Sequence, residues 1–446
     1  MKKLIPALLL LLVASIGSSQ SINIQKLDSL FTALEANNKM MASAVVYKNG
    51  KVLYAKAIGY KKIDDKQKLP ADIATKYRIG SITKMFTATM IFQLVDEGKL
   101  TLDTKLDKFY VNVPSADKIT IGQLLSHHSG LHNFTDDATY GQYHTQKKTQ
   151  AEILDIIYKL PMDFTPGSRA AYSNTNYVLL GYIIENLTGK TYAEELTTRI
   201  CAKAGLTNTY YGGAIDIKNN EASSYSFNGQ DWEEEAETDM SIPHGAGAIV
   251  STPTDLSKFA EALFQGKLIS STSLEEMKKQ DGGYGMGCFT FPFGQRTSYG
   301  HTGGIDAFSS MLGYFPSDSL SAAITINGPN YSMNDVMIAL LSVAFGKPYE
   351  VPPIGKVALT PEKLTAYEGL YAAENFPLKI TIKAVSGALT AQATGQGAFP
   401  LDANSETTFT FSAAGIRMDF IIEEGGEINK FNFSQGGGKY LFEKLK

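Results

Sequence analysis

The spacing of apolar residues predicts sheet structure at both ends of a long segment and helices between them. Residues 24–37 have the period of an amphipathic helix, and residues 44–47 and 52–58 flank an Asn-Gly turn typical of a β-hairpin. Helical patterns dominate from about residue 101 to 238. Short strands return at residues 284–289, 297–301, 309–315 and 320–326, before a closing helix at 333–345. This order predicts a mixed α/β domain: an antiparallel sheet flanked by helices, with an inserted helical subdomain.

The pattern changes after residue 346. Prolines at positions 348, 352 and 353 predict a stiff connector. Beyond it, short alternating segments at residues 378–382, 388–393, 407–411 and 417–422 are separated by glycine-containing turns, which favours a small antiparallel barrel or sandwich. We therefore predict a main domain at residues 20–347, a linker at 348–360 and an all-β, barrel-like domain at 361–446.

Residues 1–19 have the pattern of a secretory signal peptide. Lys2 and Lys3 precede an apolar core at residues 4–13, and small residues at 17–19 predict cleavage near Ser19-Gln20. The apolar core is too short to span a membrane as a helix. We expect an exported protein, periplasmic or extracellular, with no stable membrane insertion.

The composition of the 446 residues narrows the classes of partner. Hydrophobic residues make up 43% of the chain, as in an ordinary globular protein, and the formal net charge is −4. That charge does not favour a nucleic-acid surface. The two cysteines, Cys201 and Cys288, are too few for a disulfide scaffold, so we expect buried, unpaired thiols.

Candidate chemistry begins at the Ser81-x-x-Lys84 tetrad, which lies between a glycine turn and an apolar run at residues 85–94. That run predicts a buried helix that ends near Gly98. Positions i and i+3 share one face of a helix, so the Lys84 amine can approach the Ser81 hydroxyl. A serine hydroxyl becomes a good nucleophile only when a neighbouring base takes its proton. The tetrad therefore predicts a nucleophilic serine with its base one helical turn away.

Two further groups have the surroundings that such a site needs. Tyr172-x-Asn174 precedes an apolar helix at residues 177–187, and His301-Thr302-Gly303-Gly304 lies at the end of a predicted strand. Each short motif also has a second copy in the wrong surroundings, namely at Ser115-x-x-Lys118, Tyr47-x-Asn49 and His128-Ser129-Gly130. Only one ordered set of the three motifs has all of its contexts right.

Taken together, Ser81-x-x-Lys84, Tyr172-x-Asn174 and His301-Thr302-Gly303 resemble the three active-site motifs of the class C β-lactamase superfamily of serine hydrolases. That superfamily includes DD-peptidases, D-aminopeptidases and esterases. The resemblance runs from about residue 24 to 346, and it implies an active site in the cleft between the sheet and the helical insertion. The C-terminal segment resembles the lipocalin-like modules appended to some of these hydrolases.

The resemblance implies a role for each group. Ser81 would form an acyl-enzyme, and the backbone N–H groups of Ser81 and Gly304 would form the oxyanion hole. Asn174 and the His301-Thr302-Gly303 strand would bind the substrate. The sequence leaves the base open: either a protonated Lys84 holds Tyr172 as a phenolate, or a neutral, buried Lys84 acts directly. No cofactor is implied.

His301 departs from the family pattern, which usually has lysine at this position to fix a substrate carboxylate. Histidine has an ordinary pKa of about 6.5 and is mostly neutral at pH 7. The exchange argues against true β-lactamase or carboxypeptidase activity and favours a D-amino-acid peptidase or an esterase. We expect turnover of carboxylate-bearing substrates to improve as the pH falls through the His301 titration.

The remaining histidines do not predict a metal site. His127, His128, His132 and His144 have no spacing typical of metal ligands, and three of them lie in or beside a family-like segment. We expect structural roles for them and no bound metal.

The leading hypothesis is an exported serine hydrolase that cleaves an amide or ester in a small-molecule or peptide substrate. The alternatives are a catalytically silent protein that binds cell-wall peptides and a true β-lactamase. A further possibility is that the C-terminal module binds a partner or gates the cleft. The sequence leaves the oligomeric state open.

Overall fold

The computed structural model describes residues 23–445 apart from 353, 356, 358, 412, 413 and 437. The predicted signal peptide at residues 1–19 therefore lies outside the described residues, as does Pro353 of the predicted linker. In the part of the chain that the structure describes, no helix has both the length and the apolar character needed to cross a membrane.

Six antiparallel strands form the central sheet. Their spatial order is Phe289–Phe293, Arg296–Ile305, Phe308–Phe315, Leu320–Pro329, Met40–Lys48 and Lys51–Ile58. The early hairpin joins the late strands because Met40–Lys48 pairs along its length with Leu320–Pro329. Leu320–Pro329 is buried at every position except its last, as expected of a strand covered on both faces. The predicted antiparallel sheet is confirmed.

Helices cover both faces of this sheet and fill the insertion. They are Ile24–Ala36, Thr83–Asp96, Ile121–Leu125, Tyr140–Tyr143, Gln150–Lys159, Asn174–Thr188, Tyr192–Leu196, Ala202–Ala204, His244–Gly247, Pro253–Phe264, Ser271–Lys278 and Met333–Ala344. A further helix, Pro361–Thr365, instead packs against the C-terminal strand Ile380–Val385. Three helices of the insertion begin at threonine capping boxes, at Thr120, Thr149 and Thr191, whose side chains accept the third backbone N–H of the helix. Local sequence thus fixes where these helices begin.

Short strands complete the main part of the chain. Tyr77–Arg78, Ile249–Ser251 and Tyr210–Tyr211 form a three-stranded sheet with Ile249–Ser251 in the middle. Two small hairpins pair Tyr60–Ile63 with Lys68–Pro70, and Tyr225–Phe227 with Trp232–Glu234.

The helix Thr83–Asp96, here called the serine helix, lies at the centre of the core. Every residue from Thr83 to Leu94 is buried, which matches its apolar character on all sides. The ring of Phe86 stacks on Phe259 of Pro253–Phe264, with 3.7 Å between the ring centroids. The helix is therefore held in place on every side.

Eight strands form a closed C-terminal barrel. In chain order they are Gly369–Ala372, Ile380–Val385, Ala388–Ala393, Phe399–Ala403, Thr408–Phe411, Ile416–Ile422, Ile428–Gln435 and Gly438–Lys444. Each strand pairs with the next, and Tyr371 pairs with Lys444 to close the ring. The barrel has its own core, in which Phe409, Phe431 and Phe442 are fully buried. The barrel-like prediction is confirmed, although the separate-domain boundaries remain a prediction.

Three details differ from or complete the sequence predictions. Residues 284–288 do not form the predicted strand, because Gly287 has a φ of +88° and the strand begins only at Phe289. Four barrel strands were not predicted, namely Gly369–Ala372, Phe399–Ala403, Ile428–Gln435 and Gly438–Lys444. Cys201 and Cys288 are buried and unpaired, as predicted.

Candidate active site

Ser81 lies in a single helical turn, Gly80–Ile82, directly before the serine helix. The short strand Tyr77–Arg78 leads into this turn. Gly80 has a φ of +49°, which residues with a side chain rarely adopt. Ser81 is therefore held at the start of a helix, where backbone N–H groups have no partners within the helix.

Two glycines bring the Ser81 turn into backbone contact with the strand Arg296–Ile305. A Cβ atom on Gly80 would lie 2.7 Å from the Gly304 nitrogen, and one on Gly303 would lie 2.0 Å from the Ile79 carbonyl oxygen. The strand has a free edge here, because its pairing with Phe289–Phe293 ends at Gly300. Ser81 and Gly304 consequently line the same cleft.

Lys84 is fully buried, and its amine contacts three oxygen atoms. The Nζ atom lies 2.9 Å from Ser81 Oγ, 2.7 Å from Asn174 Oδ1 and 2.8 Å from the Ala246 carbonyl oxygen. The Asn174 side chain is oriented by its own Nδ2 group, which donates to Thr135 Oγ1 at 3.0 Å. Burial lowers the pKa of Lys84 well below its ordinary value of 10.5.

These contacts orient the lone pair of the Lys84 amine. A neutral amine has two N–H groups and one lone pair, and Asn174 Oδ1 and the Ala246 carbonyl can only accept hydrogen bonds. When both N–H groups donate to them, the lone pair faces the Ser81 hydroxyl. The arrangement can therefore accept the serine proton.

Tyr172 is the third group of the cluster. Its ring centroid lies 4.9 Å from Lys84 Nζ, and its hydroxyl hydrogen-bonds with Ser81. Burial raises the pKa of Tyr172 above its ordinary value of 10, and the Ser81 hydrogen bond offsets only part of that rise. Tyr172 is consequently a neutral phenol at ordinary pH, able to donate a proton.

His127 supports Tyr172, which agrees with the structural role expected for it. Their ring centroids are 4.5 Å apart. The backbone N–H of Ser173 donates to His127 Nδ1 at 3.2 Å, which leaves the ring proton on Nε2. Burial, with a smaller effect from Lys84, lowers the pKa of His127 well below its ordinary value of 6.5. A neutral ring thus holds the tyrosine in place.

His301 is buried rather than open to the cleft. Its side chain hydrogen-bonds the Thr302 carbonyl through Nδ1, and its ring packs against Phe289 with 4.5 Å between centroids. Burial, and to a smaller extent the nearby Lys84, lowers the pKa of His301 to about 3. The expected titration near pH 6.5 is therefore wrong, because the sequence pattern does not show that the ring is covered.

The cleft has a volume of about 540 Å³. Of the predicted substrate-binding residues, Asn174 lines it together with Ser81 and Gly304, whereas His301, Thr302 and Gly303 do not. Much of the wall is apolar or aromatic, with side chains from Phe134, Tyr140, Pro243, Ile305, Phe308 and Pro329. Among the described residues that line the cleft, no lysine or arginine occurs, and Asp306 is the one carboxylate.

Asp306 belongs to a buried ion pair that the sequence analysis missed. Its Oδ2 atom lies 3.0 Å from Arg78 Nη1, and the two side chains are 3% and 2% exposed. Its Oδ1 atom accepts the Thr238 hydroxyl at 2.6 Å. Arg78 precedes Ser81 by three residues and Asp306 follows Gly304 by two, so the pair joins the two backbones of the candidate oxyanion hole. The sequence feature that could have indicated this pair is Arg78, a charged residue between Tyr77 and Ile79.

Each of the three remaining histidines considered as metal ligands has a different contact partner. His128 faces Asp281, His132 Nδ1 lies 2.8 Å from Asp163, and His144 stacks on Tyr140. Within the described ranges, no three His, Cys, Asp or Glu side chains are grouped so that they could hold a metal ion.

Replacing Asp306 with alanine should lower the free energy of unfolding by about 1.5–3 kcal/mol, because the buried Arg78 guanidinium loses one of its two carboxylate partners and keeps only Glu237. The matched control is Asp318→Ala, which breaks the more exposed Arg296–Asp318 pair, with 3.2 Å between Nε and Oδ1. That control should cost less than about 1 kcal/mol. Chemical denaturation measures both, and equal losses would contradict a structural role for the buried pair.

Comparison with known proteins identifies the family. The family model described as Beta-lactamase matches residues 27–343. Penicillin-binding protein 4* of Bacillus subtilis (strain 168) is 25% identical over 431 residues, which are 89% of this chain and 94% of that protein. A teichoic acid D-alanine hydrolase of Staphylococcus aureus (strain MRSA252) is 28% identical over 234 residues, which are 52% of this chain and 57% of that protein.

Solved structures show the same fold. The D-amino acid amidase from Ochrobactrum anthropi SV3 matches with a TM-score of 0.62 and 25% identity, over 72% of this chain and 99% of its own. The octameric penicillin-binding protein homologue from Pyrococcus abyssi matches with a TM-score of 0.66 and 24% identity, over 94% of this chain and 100% of its own. This chain therefore belongs to the beta-lactamase family and is a β-lactamase-like serine hydrolase.

Proposed function

We propose that this protein is an exported enzyme that hydrolyses an amide or ester of a D-amino acid through an acyl-enzyme on Ser81. The observation that carries the proposal is the buried Lys84 amine, 2.9 Å from Ser81 Oγ, with its two N–H groups directed to other acceptors. Such an amine is a base aimed at one hydroxyl, which a protein that only binds peptides does not need.

The proposed reaction starts when Ser81 Oγ attacks the substrate carbonyl carbon and its proton passes to Lys84. The oxyanion that forms accepts hydrogen bonds from the backbone N–H groups of Ser81 and Gly304, each worth about 3 kcal/mol of barrier. Tyr172 donates its proton to the leaving amine or alcohol and regains one from Lys84. Deacylation follows the same steps in reverse, with water in place of the leaving group. Water attacks the acyl carbon, Ser81 Oγ regains its proton, and the acid is released.

We assign the remaining residues by their positions. Asn174 would orient Lys84 and contact the substrate, since it touches the amine and lines the cleft. Thr302 and Gly303 do not line the cleft, so we assign them to holding the backbone of Gly304 in place, and Gly304 would contact the substrate. His301 would have a structural role in the same strand, through the packing of its ring on Phe289. Its buried, neutral ring gives a substrate carboxylate no charge to bind.

The lining of the cleft supports the choice of substrate. A permanently anionic substrate finds no lysine or arginine among the described lining residues, and the Asp306 carboxylate is already paired with Arg78. This argues against a true β-lactamase, whose substrates have a carboxylate. The apolar wall suits a neutral group.

Two matched proteins are, by name, a D-amino acid amidase and a teichoic acid D-alanine hydrolase, which favours a D-aminoacyl substrate. The similarity to penicillin-binding proteins favours export.

A turnover panel on purified protein tests this proposal. We expect D-aminoacyl anilides and short-chain esters to be cleaved faster than L-aminoacyl anilides and a chromogenic cephalosporin. Ser81→Ala should lower kcat/KM by at least about 10⁴-fold, as loss of a nucleophile does in other serine hydrolases.

The second Ser-x-x-Lys copy offers a matched control for that panel. Ser115→Gly alters the same motif outside the cleft, and glycine suits the φ of +57° at this position. It should leave kcat/KM unchanged. Turnover that survives Ser81→Ala, or a cephalosporin cleaved faster than every aminoacyl substrate, would contradict the proposal.

The pH dependence of substrate preference should be flat. Because the pKa of His301 is lowered to about 3, this side chain stays neutral between pH 5 and 8. The ratio of kcat/KM for a carboxylate-bearing ester to that for its neutral methyl ester should therefore stay constant over this range. A ratio that rises as the pH falls through 6.5 would show that His301 titrates there and faces the substrate.

A further inference from the structure

We propose that His244 is a positioning residue for the Lys84 base. This role rests on the proposed function, in which Lys84 takes the proton of Ser81. The His244 side chain is buried and is not among the described residues that line the cleft. It would therefore act on the reaction through the backbone of its own helix, without touching the substrate.

The short helix His244–Gly247 meets the serine helix through two backbone carbonyls. The Ala246 carbonyl accepts a hydrogen bond from Lys84 Nζ at 2.8 Å. The neighbouring Gly245 carbonyl accepts one from Thr87 Oγ1 at 2.6 Å. The two donors are three residues apart and so lie on one face of the serine helix. The position of the short helix therefore decides whether the amine reaches its second acceptor.

The His244 ring joins this short helix to Asn174–Thr188, the helix that carries the other acceptor of the amine. The ring stacks on Tyr182 with 4.6 Å between centroids. It also lies against Gly181, where an added Cβ atom would come within 2.7 Å of the imidazole Cδ2 atom. Because Asn174 and Tyr182 belong to one helix, the ring holds both acceptors of the amine in a fixed relation to each other.

A hydrogen bond sets the orientation of the ring. The Tyr211 hydroxyl lies 2.9 Å from the Met240 carbonyl oxygen, which can only accept, and 3.0 Å from His244 Nδ1. The phenol proton is therefore directed to Met240, and the Nδ1–H group donates to the Tyr211 oxygen. Burial lowers the pKa of His244 to about 3, so the ring is neutral and Nε2 has only a lone pair. That lone pair lies 3.7 Å from Glu185 Oε2, beyond hydrogen-bond distance.

The backbone of His244 is held against its local preference. Its φ is +35°, a region that residues with a side chain rarely adopt. Such a conformation persists only where the surrounding structure imposes it. Without the ring and its contacts, the backbone would relax toward an ordinary φ, and the Ala246 carbonyl would move away from the Lys84 amine.

The rate at which a fluorophosphonate labels Ser81 measures activation of the nucleophile whatever the natural substrate is. We expect His244→Ala to lower this rate at least about tenfold, as misplacement of a catalytic group does. For a D-aminoacyl anilide, kcat should fall by the same factor while KM changes less than about twofold, because the residue does not touch the substrate. In NMR of ¹³Cε-labelled lysine, the Lys84 signal should shift.

Tyr211→Phe is the milder second variant. It removes only the hydroxyl that accepts from Nδ1 and keeps both rings in place. It should lower the labelling rate about threefold, the effect of one neutral hydrogen bond. If circular dichroism shows that His244→Ala does not fold, the labelling rate of Tyr211→Phe decides the question.

Leu27→Ala is the control for a general loss of stability. Leu27 is fully buried in a core cluster separate from that of the serine helix, so the variant should be destabilised but should keep the parent's labelling rate and Lys84 signal. Equal labelling of the parent, His244→Ala and Tyr211→Phe would overturn the role of His244 and leave the proposed reaction intact. An equal loss in Leu27→Ala would also overturn it. A parent protein that is not labelled at Ser81 would contradict the proposed reaction and, with it, this role.

Discussion

Burial of the Lys84 amine is the constraint on which the rest of this site depends. An isolated ammonium group in a dry interior is very unfavourable, so the buried amine is stable mainly as a neutral group with its N–H donors satisfied. Three separate segments supply its neighbours: the turn before the serine helix, the start of the helix Asn174–Thr188, and the Ala246 carbonyl in His244–Gly247. The fold is thus organised so that one nitrogen meets one hydroxyl.

A second constraint fixes the backbone beside the nucleophile. Gly80 and Gly303 allow the Ser81 turn and the strand Arg296–Ile305 to approach more closely than any side chain would permit. The buried pair of Arg78 and Asp306 joins the same two segments on either side of Ser81 and Gly304. The ion pair and the two glycines therefore have the same effect. They hold the two backbone N–H groups of the candidate oxyanion hole at a set separation before any substrate binds.

Much of this could be predicted from the sequence, because the motifs are local. The tetrad at Ser81 and the triplet at Tyr172 lie at helix starts, and helix starts are encoded by nearby residues. The contacts that complete the site come from distant segments. Neither the Ala246 carbonyl nor Asp306 has a local signal of its role, and the cover over His301 depends on how Phe289 meets a neighbouring strand. The pKa error at His301 came from that missing cover.

The barrel, too, could be predicted only in part from its sequence. Its alternating strands indicated its class, but strands with weak alternation, such as Phe399–Ala403, appear only when their neighbours are known. Closure of the ring, through the pairing of its first and last strands, is a property of the assembled barrel.

The most direct test of the central claim is the protonation state of Lys84. Lysine labelled with ¹³C at Cε, with Lys84→Arg to assign the signal, reports each amine by NMR as the pH is varied. The account predicts that Lys84 is neutral at pH 8 while the surface lysines are still charged. A Lys84 signal that titrates together with them, near its ordinary pKa of 10.5, would contradict a lysine base and favour a tyrosine phenolate instead.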